Sequence, residues 1–179
     1  MKPSKYARIE SERRFLLARL PEELDPAAGF ERLDDLYLEG TRLRLRRVRS
    51  AAGAVTERKL TQKLPDPSGD PARRLLTTLY LDAVEYERLA QLPGRRLAKR
   101  RHRHAHDGRS FAIDVFEGPL AGLVLAELEL ASGAELAALA PPSFARCEVT
   151  ALPLFTGGSL AYADPARVLA EARRLLAEP

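Results

Sequence analysis

In this 179-residue chain Glu10 with Glu12 and Glu127 with Glu129 are carboxylate pairs two residues apart within strand-like runs. Basic residues repeat with the same spacing: Arg42, Arg44 and Arg46, then Lys59 and Lys63 with Thr61 between them on the same face, then Lys99, Arg101 and Arg103. A spacing of two is the repeat of a β-strand, whose side chains alternate between faces. Arg14 falls on the face of Glu10 and Glu12, opposite Ile9, Ser11, Arg13 and Phe15. Leu43 and Leu45, Leu60 and Leu64, and Ala126, Leu128 and Leu130 form the apolar backs of the other runs. One such strand could simply show its charges to solvent. At least five with the same two-faced character call for a different arrangement, in which helices cover the apolar faces and the ionic faces turn toward one another. A closed antiparallel barrel of about eight strands does this, and its interior is wide enough for one small ligand. Charges enclosed there need partners. An elongated anion bound together with a divalent cation would satisfy both signs.

The elements that must hold these charges can be traced along the chain. Arg8 to Leu17, Asp35 to Leu38, Thr41 to Arg46, Val55 to Leu64, Leu75 to Leu81, Arg95 to His104, Ser110 to Phe116 and Leu123 to Leu130 have strand character, with a short further strand over Arg146 to Val149. Breakers separate them: Pro21 to Pro26, Glu39-Gly40, Ala51-Ala52-Gly53, Pro65 to Pro71, Pro93-Gly94 and His106-Asp107-Gly108. Asp82 is placed to cap a helix running to Leu92, with Val84, Leu89 and Leu92 toward the core. Ala134 to Leu139 forms a short helix, and Asp164-Pro165 opens a C-terminal one with an apolar stripe of Val168, Leu169, Ala172, Leu175 and Leu176. His102, His104 and His106 share the face opposite Lys99 and Arg101, so they are expected as an exposed outward run near a turn rather than as a metal site.

Composition narrows the classes. Apolar residues make up 45% and charged residues 30%, the balance of a folded globular chain, and the length suits a single domain over 1–179. The one cysteine, Cys147, permits neither an internal disulfide nor a cysteine-rich zinc site, in keeping with a reducing compartment, and it is expected as a buried strand residue. No apolar stretch is long enough to cross a bilayer and the charged start lacks a signal core, so a cytoplasmic protein without membrane association is expected. The net charge is only +4, but seventeen Lys or Arg against six Asp or Glu lie between Arg42 and Arg103. That segregation points to an anionic partner. With aromatics at 6% and few within the basic strands, nucleic acid is not the expected one. Phosphate loops of the Walker type, dinucleotide fingerprints and nucleophilic triads are missing from the sequence.

In order along the chain, the motifs resemble those of the CYTH superfamily, the triphosphate tunnel metalloenzymes. Glu10-Ser11-Glu12-Arg13-Arg14-Phe15 is similar to its Glu-x-Glu-x-Lys signature, Thr41 to Arg46 to its arginine-rich strand, Leu60 to Lys63 to Thr-x-Lys, and Ala98 to Arg101 to Lys-x-Arg. Asp114 to Glu129 resembles the Asp-x-Phe, Gly-Leu and Ala-Glu-x-Glu run; Glu148-Val149-Thr150 and Leu160-Ala161 resemble the C-terminal elements. The resemblance implies an α+β fold, an eight-stranded antiparallel tunnel with an ionic interior and helices outside, that binds a triphosphate-containing small molecule with Mg²⁺ or Mn²⁺. By position it implies Glu10, Glu12, Asp114, Glu127 and Glu129 as metal-side carboxylates. It implies Arg14, Arg42, Arg44, Arg46, Lys63, Lys99 and Arg101 on phosphate oxygens, with Lys59 joining them on the face of Lys63. Those residue types suit the tasks: Mg²⁺ prefers oxygen ligands, arginine forks match phosphate, and lysine adds a point charge.

The activity this implies is metal-dependent hydrolysis, with Glu10 or Glu12 helping to position the attacking water. Inorganic tripolyphosphate is the expected substrate, because nothing in the sequence builds a base pocket. Class IV adenylate cyclase chemistry and non-catalytic binding of polyphosphate or nucleotide are the alternatives. Dimers are common in the family. The chain departs from the pattern in three places. Arg14 replaces the lysine of the first motif; Arg73 to Tyr80 stands where an Arg-x-Glu-x-Glu strand is usual, without its two carboxylates; and Phe155 to Leu160 replaces Tyr-x-Asn with a Gly-Gly turn.

Overall fold

Eight strands close on themselves through hydrogen bonds between the first and the fifth. The structure, a computed structural model, describes residues 5–24 and 29–178. Its strands are β1 (Arg8–Leu16), β2 (Glu31–Leu38), β3 (Leu43–Ser50), β4 (Val55–Pro65), β5 (Arg73–Tyr80), β6 (Gly94–His106), β7 (Arg109–Phe116), β8 (Val124–Leu130) and β9 (Cys147–Glu148). Their order is β5-β4-β3-β2-β6-β7-β8-β1-β9, every pairing is antiparallel, and β5 returns to β1. Strand β9 lies outside the ring on β1, so the closed antiparallel eight-stranded barrel expected from the sequence is the fold. Of the connection expected over 21–26, Asp25 and Pro26 lie outside the described residues, as do the first four residues of the charged start.

Alternation fixes what faces inward. Glu12 pairs with Glu129, Arg14 with Glu127, Arg46 with Asp35 and with Lys59, Lys99 with Phe116, and Arg101 with Asp114. Cross-strand partners share a face, so these charges line one continuous interior. The outward faces are apolar and carry the helices. Leu36, Leu38 and Leu45 pack with Tyr86 of α1 (Ala83–Leu89), and Phe15, Phe111, Ile113, Ala126 and Leu128 with Leu136 of α2 (Gly133–Ala138). Burying side chains of this size contributes about 1.5 to 3 kcal/mol each. A third cluster joins Phe155, Leu160 of α3 (Gly157–Tyr162) and Val168 and Ala172 of α4 (Pro165–Ala177) to Leu97, Phe116 and Leu125. Those last three point into the barrel. The C-terminal helices therefore cap the β6–β8 side of one barrel end with apolar packing.

Several local expectations need correction. Helix α1 begins at the Asp82 cap, with reciprocal hydrogen bonds to Glu85, but ends at Leu89 and not at Leu92. Tyr86 and the partly buried Leu89 make its core contacts, as expected for Leu89, while Val84 and Leu92 are exposed, because a helix of about two turns stops short of Leu92. Strand β3 starts at Leu43, leaving Arg42 exposed in the preceding turn. Cys147 lies in β9 as a half-buried thiol. The histidines do face outward, yet His102 and His104 are buried. Phe30 packs at a tilt against His102 and Phe144 edge-on against His104, contacts that no periodicity reveals. The His106-Asp107-Gly108 turn has positive φ at Asp107 and Gly108, the geometry that matches strand twist in a two-residue hairpin. Among the described residues no helix is long and apolar enough to cross a membrane.

Candidate active site

The barrel interior is a network of ion pairs. Asp114, fully buried, accepts both Arg101 Nε and Nη2 at 2.7 Å and also the Lys99 ammonium. Arg101 reaches on to Glu127, which Lys99 approaches at 3.9 Å. Across the barrel Lys63 Nζ donates to Glu10 at 2.6 Å, and Arg14 Nη1 donates to Glu12 at 3.2 Å and Nη2 to the Thr150 carbonyl at 2.9 Å. Lys59 is paired with Glu57 at 2.6 Å. Arg44 lies 3.8 Å from Asp35. Arg42, in its turn, is not part of this network.

Asp35 and Tyr37 belong to this interior without a signal in the sequence motifs. Asp35 accepts Arg46 Nε and Nη2, both at 2.6 Å, and Tyr37 follows it on the same inward face. Strand β2 hides them because its charges fall on both faces: Asp34 points outward to Arg49 at 2.9 Å. Period two is thus blurred where β3 shows it clearly. Tyr37 also explains a glycine. A Cβ at Gly157 would collide with the Tyr37 hydroxyl, so the expected Gly-Gly turn is a close approach of α3 to the barrel wall.

Electrostatics divides the carboxylates. Burial works against ionisation of Asp35, but Arg46 and Arg44 outweigh it and hold Asp35 well below the usual carboxylate range. Glu127 is likewise opposed by burial and pulled down by Lys99 and Arg101. Glu12 goes the other way. Burial, then the charges of Glu127 and Glu10, push it up to about 7. Burial, and then Asp35, push Tyr37 up to about 12, so its hydroxyl stays a neutral donor. Among the described residues no acceptor reaches the buried Nε atoms of Arg14 and Arg44. The interior therefore holds both cations with unused donors and a carboxylate that would gain from a further cation.

Exposure changes along the strands. On β8 Leu125 is buried, Glu127 is intermediate and Glu129 is exposed; on β6 Leu97 and Lys99 are buried, Arg101 is intermediate and Arg103 is exposed. The charged interior opens toward Glu129 and Arg103. On β5 the inward residues are Arg74, Leu76 and Thr78, with Thr78 Oγ1 at 3.2 Å from Thr61 Oγ1. The two carboxylates missing from the sequence motif are therefore missing from the interior wall.

A closed eight-stranded barrel with an ionic lumen and helices outside is the architecture of a triphosphate-tunnel protein. No protein-family model and no curated protein matches the chain. Solved structures do. Two crystal structures of NE1496, one described as an inorganic triphosphatase, superimpose with TM-scores of 0.57 and 0.56 at 28% and 27% identity. They cover 87% and 86% of this chain and 99% and 95% of their own. An adenylate cyclase candidate from Bacillus halodurans, 16% identical with a TM-score of 0.50 over 74% of this chain and 86% of its own, shares the fold. The resemblance to the CYTH superfamily carried by the motifs is borne out by the fold and by these neighbours.

Proposed function

We propose that the barrel hydrolyses a triphosphate with the help of a divalent cation, and that inorganic tripolyphosphate is the substrate. The observation that carries this reading is the pairing of lumen cations that have unused donors with a crowded carboxylate group centred on Glu12. The inorganic triphosphatase named above, at 27% identity, supports it. In the ligand-free interior the opposite charges neutralise one another. When Lys63, Arg14 and Arg44 turn to phosphate oxygens, Glu10 and Glu12 are freed for a cation. Anion and cation binding thereby become mutually dependent.

The donor set fits Mg²⁺ or Mn²⁺, since it is carboxylate oxygen throughout. Glu12 and its cross-strand partner Glu129, flanked by Glu10 and Glu127, would hold the ion, which supplies charge neutralisation and a polarised phosphoryl oxygen. Asp114, expected on the metal side, spends both oxygens on Arg101 and Lys99; in this reading it aims those two cations at the phosphates. Arg46 is held by Asp35 in the same manner. Glu10, or Glu12 once deprotonated, accepts a hydrogen bond from the attacking water and orients it in line with the phosphorus. Lys99, Arg101 and Arg44 stabilise charge on the leaving phosphate oxygens.

The inward Leu76 and Thr78, in place of two carboxylates, favour one second reading: a tunnel that binds polyphosphate without turning it over. Phosphate release from tripolyphosphate and ATP, with Mg²⁺, with Mn²⁺ and with chelator, separates the two. Metal-dependent release from tripolyphosphate, abolished in Glu129→Gln at unchanged circular dichroism, is the expected result. Thermal stabilisation by tripolyphosphate without release under either metal would establish the binder instead.

A further inference from the structure

A second constellation lies on the outer wall of the barrel, away from the tunnel. His104 and His106 stand two residues apart on the outward face of β6, and Glu23, in the connection that follows β1, reaches over them. The ligand atoms of these three side chains all lie within 4.8 Å of one another. Among the described residues this is the one group of three or more His, Cys, Asp or Glu side chains so arranged; the tunnel carboxylates do not converge as closely.

The histidine between the other two is the informative one. His104 is 3% exposed, and no hydrogen-bond partner reaches its buried Nε2, which points toward Glu23 Oε2 at 3.9 Å. A buried imidazole nitrogen without a partner costs free energy unless something else accepts its lone pair or proton. The rings are also held in place. They stack at 6.1 Å and 22°, and Phe144 packs edge-on against both, at 5.1 Å from His104 and 5.0 Å from His106. Glu23 by contrast is 77% exposed at its side chain and free to swing.

We infer that Glu23, His104 and His106 form a binding site for a borderline divalent transition ion, of which Zn²⁺ is the best match. Two imidazoles and a carboxylate are a zinc donor set, distinct from the all-oxygen tunnel that suits Mg²⁺. Tetrahedral coordination with bonds of about 2.0 to 2.1 Å sets donor atoms about 3.3 Å apart, so no pair of donors needs to close by more than about 1.5 Å. For His104 Nε2 and Glu23 Oε2, at 3.9 Å, the closure is about 0.6 Å, which the exposed Glu23 can supply. Water takes the fourth position, on the open side. Bound there, the ion ties the chain after β1 to the β6–β7 hairpin, two segments whose ligands Glu23 and His104 lie 81 positions apart along the chain. It acts as a clamp on the barrel's outer wall.

The test uses tag-free full-length protein, dialysed against Zn²⁺ in a large excess of Mg²⁺ so that the tunnel carboxylates are saturated. Metal content by atomic emission and affinity by competition with a chromophoric chelator are then read for the parent, Glu23→Gln, His106→Asn and, as a control for the tunnel, Glu129→Gln. One retained Zn²⁺ per chain is expected in the parent and in Glu129→Gln, with binding weakened at least about 10-fold in each of the other two. Substitution with Co²⁺ should give the strong visible bands of a low-coordinate nitrogen and oxygen site, lost in His106→Asn. Equal retention in all four proteins, or none in the parent, overturns the assignment. Glu23 and His106 are chosen because neither is fully buried, so failure to fold does not confuse the result, and no readout depends on turnover in the tunnel.

Discussion

Glu12 gives the sharpest test of the charge arrangement, because its carboxylate works against folding in the metal-free protein. Its side chain is 14% exposed, and burial followed by Glu127 and Glu10 push it from the ordinary 4.5 up to about 7. Between those two values the folded chain holds a proton that the unfolded chain has released. Stability therefore falls as pH rises through this window, and the contribution of the proton is complete below 4.5. At about 1.4 kcal/mol per pH unit, the interval from 4.5 to about 7 amounts to about 3 kcal/mol. Glutamine mimics the protonated acid, and Arg14 keeps its bond to the Thr150 carbonyl. In chelator, Glu12→Gln should match the parent at about pH 4 and exceed it by up to about 3 kcal/mol at about pH 8. For a chain of this length that is a rise in Tm of about 6 to 12 °C. Denaturant unfolding of both proteins across this range measures it. A variant that is no more stable than the parent at the alkaline end, or a difference independent of pH, would refute the view that carboxylates crowd the lumen. Adding Mg²⁺ and tripolyphosphate should then stabilise the parent more than the variant.

Other residues separate structure from binding. Asp35→Ala leaves the buried Arg46 without its partner and should cost about 3 to 5 kcal/mol in urea unfolding. Because Arg46 and Arg44 hold Asp35 below its usual range against burial, the parent should lose this contribution as pH falls into the acid range, and the variant should show a flatter acid limb. Arg44→Ala should weaken tripolyphosphate binding about 10- to 100-fold by calorimetry while changing ligand-free stability by less than about 1 kcal/mol. Gly157→Ala should lower stability by about 1 to 3 kcal/mol through its collision with Tyr37, and removal of that hydroxyl in the double variant with Tyr37→Phe should restore much of it.

Strand periodicity makes most of the lumen legible in the sequence alone. Arg44, Arg46, Lys59, Lys63, Lys99, Arg101, Glu12, Glu127 and Glu129 fall in charged runs with a spacing of two, and that spacing is a local property that survives in one dimension. Closure of the sheet followed from counting two-faced strands. Pairing inside the lumen did not, because which cation meets which carboxylate depends on stagger between strands far apart in the chain. Lys63 meets Glu10 across 53 positions, and Asp35, disguised by its neighbour Asp34, takes Arg46. The same reason governs the outer wall. His104 and His106 announced a shared face, but their burial under Phe144 and the approach of Glu23 are contacts made by loops, where sequence carries no periodic signal. Local geometry is written in residue order; charge partners and burial are set only when distant segments meet.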